Sequence, residues 1–226
     1  MSRTLTTKSL VGGVIQLLLF PLVLFLVAGT LAWPAAWIFL ILFYSFIVIT
    51  VYLLSKHNPG LLEERMSVFK PNPQPDTMFL LVCAVSLVWL IVMPLDAVRF
   101  HWSQLPLWLQ IVGALILVGS FAVMYLTFCE NAYLTPTVRI QEERGHAVVS
   151  TGPYRFVRHP MYAGFHLFFI GMPLLLGSVF GLVLAPVLIG LVVWRAVLEE
   201  RTLQKELSGY DAYMAQVTSR FIPHVW

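Results

Sequence analysis

Long stretches of this sequence carry no Lys, Arg, Asp or Glu: the residues between Lys8 and Lys56, then Thr77 to Leu95, Phe100 to Cys129 and Pro160 to Trp194. About 20 apolar residues span the ~30 Å hydrocarbon core of a bilayer at about 1.5 Å per residue. Uncharged runs of that length have no charged face to turn toward water, so the chain reads as an all-α integral membrane protein. Charged side chains make up only 11% of the 226 residues and hydrophobic ones 59%, whereas globular chains carry about 25% charged residues. Mean hydropathy is +0.83. The expected layout is a single membrane domain over 1–226. It has about six transmembrane helices, the last two a short hairpin, and a C-terminal amphipathic helix.

The breaks between helices follow from proline and glycine. A first helix is expected from about Leu10 to Ala32, with the basic start at Met1 to Leu10 left as an uncleaved lead-in. Trp33-Pro34 opens a second helix that runs to about Leu54, since proline is tolerated in a first helical turn. Asn58-Pro59-Gly60 and the series Pro71, Pro73 and Pro75 mark Ser55 to Asp76 as a loop. A third helix is expected over Thr77 to Leu95 and a fourth over Leu105 to Cys129, so that 1–129 holds four helices. Gly177-Ser178 divides the run after Pro160 into two short helices of about 17 residues each, for which a deep re-entrant hairpin is an alternative.

Six spans put the N-terminus, the Ser55–Asp76 loop, the Glu130–His159 loop and the C-terminus on one side. Thirteen of the 14 Lys and Arg fall there, Arg99 being the exception. Positive charge collects on the cytoplasmic side, which predicts cytoplasmic termini. It also accounts for the pI of about 9.0 without a nucleic-acid partner. Cys83 and Cys129 form no metal or redox pattern and read as small apolar fillers. Beyond Glu200, the residues Leu203, Leu207, Tyr210, Met214 and Val217 recur at spacings of 4, 3, 4 and 3. They make one apolar face of a helix, weakened in its middle by Gly209, that either lies on the inner surface, capping a site, or packs as an ordinary tail.

Two polar clusters interrupt this pattern. Thr151 to Gly164 reads TGPYRFVRHPMYAG, and Arg195 with Glu199-Glu200 stands where the last uncharged run ends. Reversal at Gly177-Ser178 returns both clusters to the same membrane surface. Interfacial anchoring is one account of them; convergence on a cytoplasmic mouth is the other. Such a mouth suits a zwitterionic, aromatic cofactor, with carboxylates for an ammonium and Arg or His for a carboxylate. His159, Tyr162 and His166 share a helix face, and His166 is expected to hydrogen-bond between helices. The His159 and His166 spacing, with no Cys, predicts no metal site. Neither a Rossmann turn nor a Ser-His-Asp set is present.

At these residues the sequence resembles the integral membrane methyltransferases of the isoprenylcysteine carboxyl methyltransferase and phospholipid N-methyltransferase group. The match comprises Gly152-Pro153-Tyr154, then Val157-Arg158-His159-Pro160-x-Tyr162-x-Gly164, Glu199-Glu200-x-x-Leu203, Tyr210-x-x-Tyr213 and Arg220-x-x-Pro223, within about Val138 to Trp226. The resemblance implies methyl transfer from S-adenosylmethionine to a lipophilic acceptor that arrives from the bilayer, with membrane lipids as the other partners. It makes 130–226 the catalytic core. Carried over, the cofactor residues are Gly152, Tyr154, Arg158, His159, Tyr162, Gly164, Glu199, Glu200 and Tyr213. Arg195 takes the place of an acceptor-side Arg. Outside the matched stretch, Asn131 beside Glu130 at the end of the fourth helix is a second catalytic candidate on the acceptor side, with an ordinary helix C-terminal residue as the other reading. Arg195 favours carboxyl O-methylation of an isoprenylcysteine-like acceptor over lipid amine N-methylation. A NADPH-dependent membrane reductase and a non-enzymatic membrane protein are the readings from other classes. The economy of the chain points to a prokaryotic plasma membrane.

Overall fold

The computed structural model of the chain describes residues 7–62, 77–134 and 145–225, residues 7–17 by their backbone. The prolines at 71, 73 and 75, and Arg3, Arg65, Lys70, Arg139 and Arg144 of the charge tally, lie outside the described residues. The described part is all-α: α1 (Thr7–Ala28), α2 (Pro34–His57), α3 (Thr77–Pro94, continued by a π-turn Leu95–Arg99), α4 (Leu107–Glu130), a 3-10 turn (Gly152–Arg155), α5 (Pro160–Leu176), α6 (Val179–Glu206) and α7 (Tyr210–Gln216). Among the described residues four helices are long and apolar enough to cross a membrane: α2, α3 with its π-turn, α4 and α6. Leu18–Ala28 and α5 are shorter apolar helices. This is an integral membrane fold.

The most extensive packing joins α4 to α5, and small residues are the reason. A Cβ on Gly113 would strike the backbone nitrogen of Leu175 and come within 2.8 Å of the Gly171 carbonyl oxygen. Two turns further along, the Ser120 hydroxyl donates to the Gly164 carbonyl at 2.8 Å. Close backbone approach through small residues is how helices associate in lipid, where no hydrophobic force draws them together. Around this seam Phe39, Trp89, Leu117, Phe121, Met172 and Leu188 form one buried cluster.

The reversal between α5 and α6 falls at Gly177-Ser178 as expected. Gly177 has φ +82 and its N–H reaches the carbonyls of Leu174 and Pro173. The helix beyond this turn is not short. At 28 residues α6 is about 42 Å long, about 12 Å more than a ~30 Å core requires. The charged cluster at Arg195 to Glu206 therefore lies on the continuing helix and does not end it. The single amphipathic helix expected beyond Glu200 is likewise divided. Gly209 at φ +85 breaks it, leaving Leu203 on α6 and only Tyr210–Gln216 as α7. The apolar face survives the break: Leu207, Tyr210, Tyr213 and Val217 pack together with Leu203, Met214 and Val148.

One positioning group has no counterpart among the sequence expectations. Asp96, fully buried, sits at the start of α6. Its carboxylate accepts from the Ser103 hydroxyl (2.7 Å), the Ser178 hydroxyl (2.7 Å) and the Phe180 N–H (3.1 Å). The carboxylate takes the Phe180 N–H and complements the helix dipole, while Ser103 Oγ and Ser178 Oγ take the N–H groups of Val179 and Gly181.

The seam makes a graded prediction. Gly113→Ala should lower the melting temperature of the detergent-solubilised protein, by an overpacking cost of about 1–3 kcal/mol. Gly119→Ala, on the same helix with nothing within 4 Å of its added carbon, should raise stability by about 0.5–1 kcal/mol. Equal shifts for the two would refute the tight-seam account.

Candidate active site

Adjacent residues on a helix point about 100° apart, so Glu199 and Glu200 cannot serve the same neighbours. Glu200 turns inward and is buried. Its Oε1 accepts from Arg158 Nε at 2.7 Å and from His159 Nε2 at 3.1 Å, and its Oε2 accepts from Arg220 Nε at 2.8 Å. Facing a carboxylate, His159 Nε2 is the protonated ring nitrogen. Arg158 also donates through Nη1 to the carbonyls of Val217 and Thr218, both at 2.7 Å. Two backbone bonds, Arg158 N–H to Ser219 and His159 N–H to Arg220, lay the C-terminal segment against the start of α5. This knot joins α5, α6 and the tail.

Glu199 faces elsewhere and is half-exposed. Among the described residues it takes one hydrogen bond, from the Tyr162 hydroxyl at 2.8 Å. That hydroxyl in turn accepts from Arg195 Nε at 3.1 Å. Arg195 and Glu199 stand at i and i+4, on one face of α6, with Tyr162 of α5 bridging them. The Arg195 guanidinium also lies 5.8 Å from the Phe79 ring centre on α3, a cation–π contact.

The remaining candidates hold the surrounding turns. Gly152 has φ +54, and a Cβ there would press into the Glu130 side chain. Beside it Thr151 Oγ1 donates to Glu130 Oε2 at 2.6 Å. Tyr154 is buried; its hydroxyl accepts from Asn131 Nδ2 at 2.7 Å and its carbonyl from the Tyr213 hydroxyl at 2.8 Å. Asn131 closes α4, and its Oδ1 accepts from the Tyr133 N–H. Gly164 faces Met124 and Ser120 in the α4 seam. Geometry thus brings Arg158, His159 and Glu200 together in one group and Tyr162, Arg195 and Glu199 in another. Asn131, Gly152 and Gly164 are occupied with turns and packing.

Outside the spans, burial pushes the Tyr213 hydroxyl above its ordinary range, Arg158 opposing and Glu200 adding to the shift. Burial also raises Tyr210, with the charges of Glu200 and Glu199 adding to it. Both stay protonated donors well into alkaline pH. His166 departs from expectation. Its ring meets Phe221 edge-on at 4.9 Å, but its buried Nε2 has no hydrogen-bond partner among the described residues. Arg220 and Phe221 complete the knot and the stack on His159. The Arg220-x-x-Pro223 pattern is the only signal in the sequence for that part.

Residues 107–208 match the phospholipid methyltransferase family model. Protein-S-isoprenylcysteine O-methyltransferase A of Arabidopsis thaliana is 29% identical over 96 residues, which are 42% of this chain and 44% of that protein. The chain thus aligns with less than half the length of that relative. Both comparisons support the likeness to the membrane methyltransferase superfamily carried by the motif.

The knot makes a prediction of its own. Glu200→Gln leaves buried guanidinium groups without their counter-ion, which should cost about 3 kcal/mol. The loss should appear as a lower melting temperature together with earlier proteolytic cleavage beyond Leu207. A variant as stable as the parent would show that the tail is held by other contacts.

Proposed function

We propose that the chain is an S-adenosylmethionine-dependent membrane methyltransferase acting on a carboxylate-bearing lipophilic acceptor, an isoprenylcysteine-like one in the first instance. The observation that carries this reading is the pair Glu199 and Arg195, an under-used carboxylate and a guanidinium one turn apart, joined by a single tyrosine hydroxyl. The family match over residues 107–208 and the name of the plant relative support it.

The residues present suit the cofactor. Glu199, half-exposed and with one hydrogen bond, has an oxygen to offer an ammonium. Arg158 and Arg220 bring two positive charges to the single Glu200 carboxylate, and that surplus suits the cofactor's carboxylate. Glu200, with both oxygens engaged, keeps the tail in place and, with Tyr213 and Phe221, shields the mouth from water. When bound, S-adenosylmethionine would supply a sulfonium methyl to an acceptor carboxylate oxygen, the O–C bond forming in line as the C–S bond breaks and its electrons pass to sulfur, which leaves as the neutral thioether S-adenosylhomocysteine. Proximity and a dry, preorganised site are what such a displacement asks of a protein. Arg195 binds and orients the acceptor carboxylate. Arg195 is the seventeenth of the 28 residues of α6, near the end of the length a ~30 Å core needs, which supports an acceptor arriving from the bilayer. The positive-inside count supports a cytoplasmic face for this site and for both termini.

An amine acceptor would need a group to take a proton, and Arg195 is a poor neighbour for an ammonium. The geometry therefore favours the carboxyl acceptor. A nicotinamide cofactor with several phosphates is disfavoured by the spare Glu199 oxygen.

Calorimetry on detergent-purified protein tests the cofactor. S-adenosylhomocysteine should bind, and Glu199→Gln should weaken it at least about tenfold, the scale of a lost charge-assisted bond of about 1.5–3 kcal/mol, without lowering the melting temperature. NADPH binding in place of S-adenosylhomocysteine would turn the reading to a reductase. For the acceptor, Arg195→Ala should abolish methylation of S-farnesyl-N-acetylcysteine while S-adenosylhomocysteine affinity stays within about threefold. Wild-type methylation of phosphatidylethanolamine vesicles, with the farnesylated acid ignored, would replace carboxyl by amine transfer.

A further inference from the structure

The Tyr162 hydroxyl is fully spoken for inside the protein. It gives its one proton to Glu199 Oε2 at 2.8 Å and accepts from Arg195 Nε at 3.1 Å. The ring is held as well, stacked on His159 with centres 5.5 Å apart and planes 19° apart, and leaning on Phe165. His159 is itself fixed by the Glu200 knot. The hydroxyl oxygen therefore has a set position, and both charged side chains of α6 bond to it.

We infer that Tyr162 is a positioning residue that couples the two halves of the site, so that cofactor held at Glu199 prepares Arg195 for the acceptor. This rests on the methyltransferase reading above. Arg195 and Glu199 are at i and i+4 and can pair directly along the helix. Here the tyrosine stands between them and keeps the guanidinium from collapsing onto the carboxylate. A free Glu199 rotates about its own side-chain bonds, and the Tyr162 O–H bond turns with it about a fixed oxygen, carrying the lone pair toward or away from the guanidinium. An ammonium on the second Glu199 oxygen fixes the carboxylate, hence the O–H direction, hence the lone pair that Arg195 Nε meets. The acceptor then meets a group already ordered, and the entropy of ordering it has been lost in the earlier step. By linkage the effect is reciprocal: acceptor tightens cofactor by the same factor.

Affinities measured in both orders test this. In the wild type, saturating S-adenosylhomocysteine should tighten binding of S-farnesyl-N-acetylcysteine about tenfold, within the usual range of coupling between sites, and the reverse experiment should give the same factor. Tyr162→Phe keeps the ring and its stack on His159. It should reduce that factor to about one while the melting temperature is kept, and in turnover it should raise the acceptor KM more than the cofactor KM. A merely structural tyrosine would shift stability and leave the coupling factor in place. Full coupling in Tyr162→Phe, or none in the wild type when both ligands bind, would overturn the inference alone. A wild type that binds no S-adenosylhomocysteine would overturn the methyltransferase reading and this inference with it.

Discussion

The buried Glu200 carboxylate holds the rest of the site in place. Two guanidinium groups and an imidazole converge on its two oxygens, brought from the start of α5 and from the tail. A buried ion pair is a doubtful source of net stability, because desolvating the charges cancels much of their attraction. Its value here is specificity of arrangement. Arg158 spends its remaining donors on two tail carbonyls, so the position of Glu200 on α6 dictates where the chain after α7 must lie. Once the tail is fixed, Tyr213 reaches the Tyr154 carbonyl and Phe221 reaches His159. These contacts join groups far apart in sequence.

Charge avoidance makes the helices legible. Uncharged runs bounded by Pro and Gly locate α1 to α5 to within a few residues, because the bilayer punishes any other reading of them. The same logic misplaces the end of α6. Arg195 and the Glu pair end an apolar run, yet a helix leaving the bilayer loses nothing by continuing into the interface with charged residues on it. Gly209 is a visible weak point, but periodicity alone does not reveal a left-handed break. Asp96 gives no signal because its meaning lies in Ser103 and Ser178, and Ser178 is 82 residues away.

The site is legible as a set of residues and illegible as a division of labour. Sequence treats Glu199 and Glu200 as a pair, and only the helical twist separates them. One becomes a saturated structural anion, the other a half-exposed carboxylate with capacity left. Asn131 and Gly164 show the converse. Asn131 beside a glutamate at a helix end and Gly164 within the motif invite a chemical reading, while their neighbours show a helix end and a close-packed seam. Which of several polar residues has unused hydrogen-bonding capacity depends on contacts made across the fold, and no local pattern encodes that.

α6 is tethered by a carboxylate near each end: Asp96 receives the Ser178 hydroxyl and the Phe180 N–H at its start, and Glu200 ties its last turns to α5 and the tail. A helix fastened at both ends cannot act as a piston. Bilayers differ in thickness by a few Å, and a long span meets the difference by sliding, kinking or tilting. Here sliding is removed, so thinner or thicker surroundings are met by tilt of the helices together. The height of Arg195 and Glu199 relative to one another is then the same in every membrane the protein occupies, and only their depth below the headgroups varies.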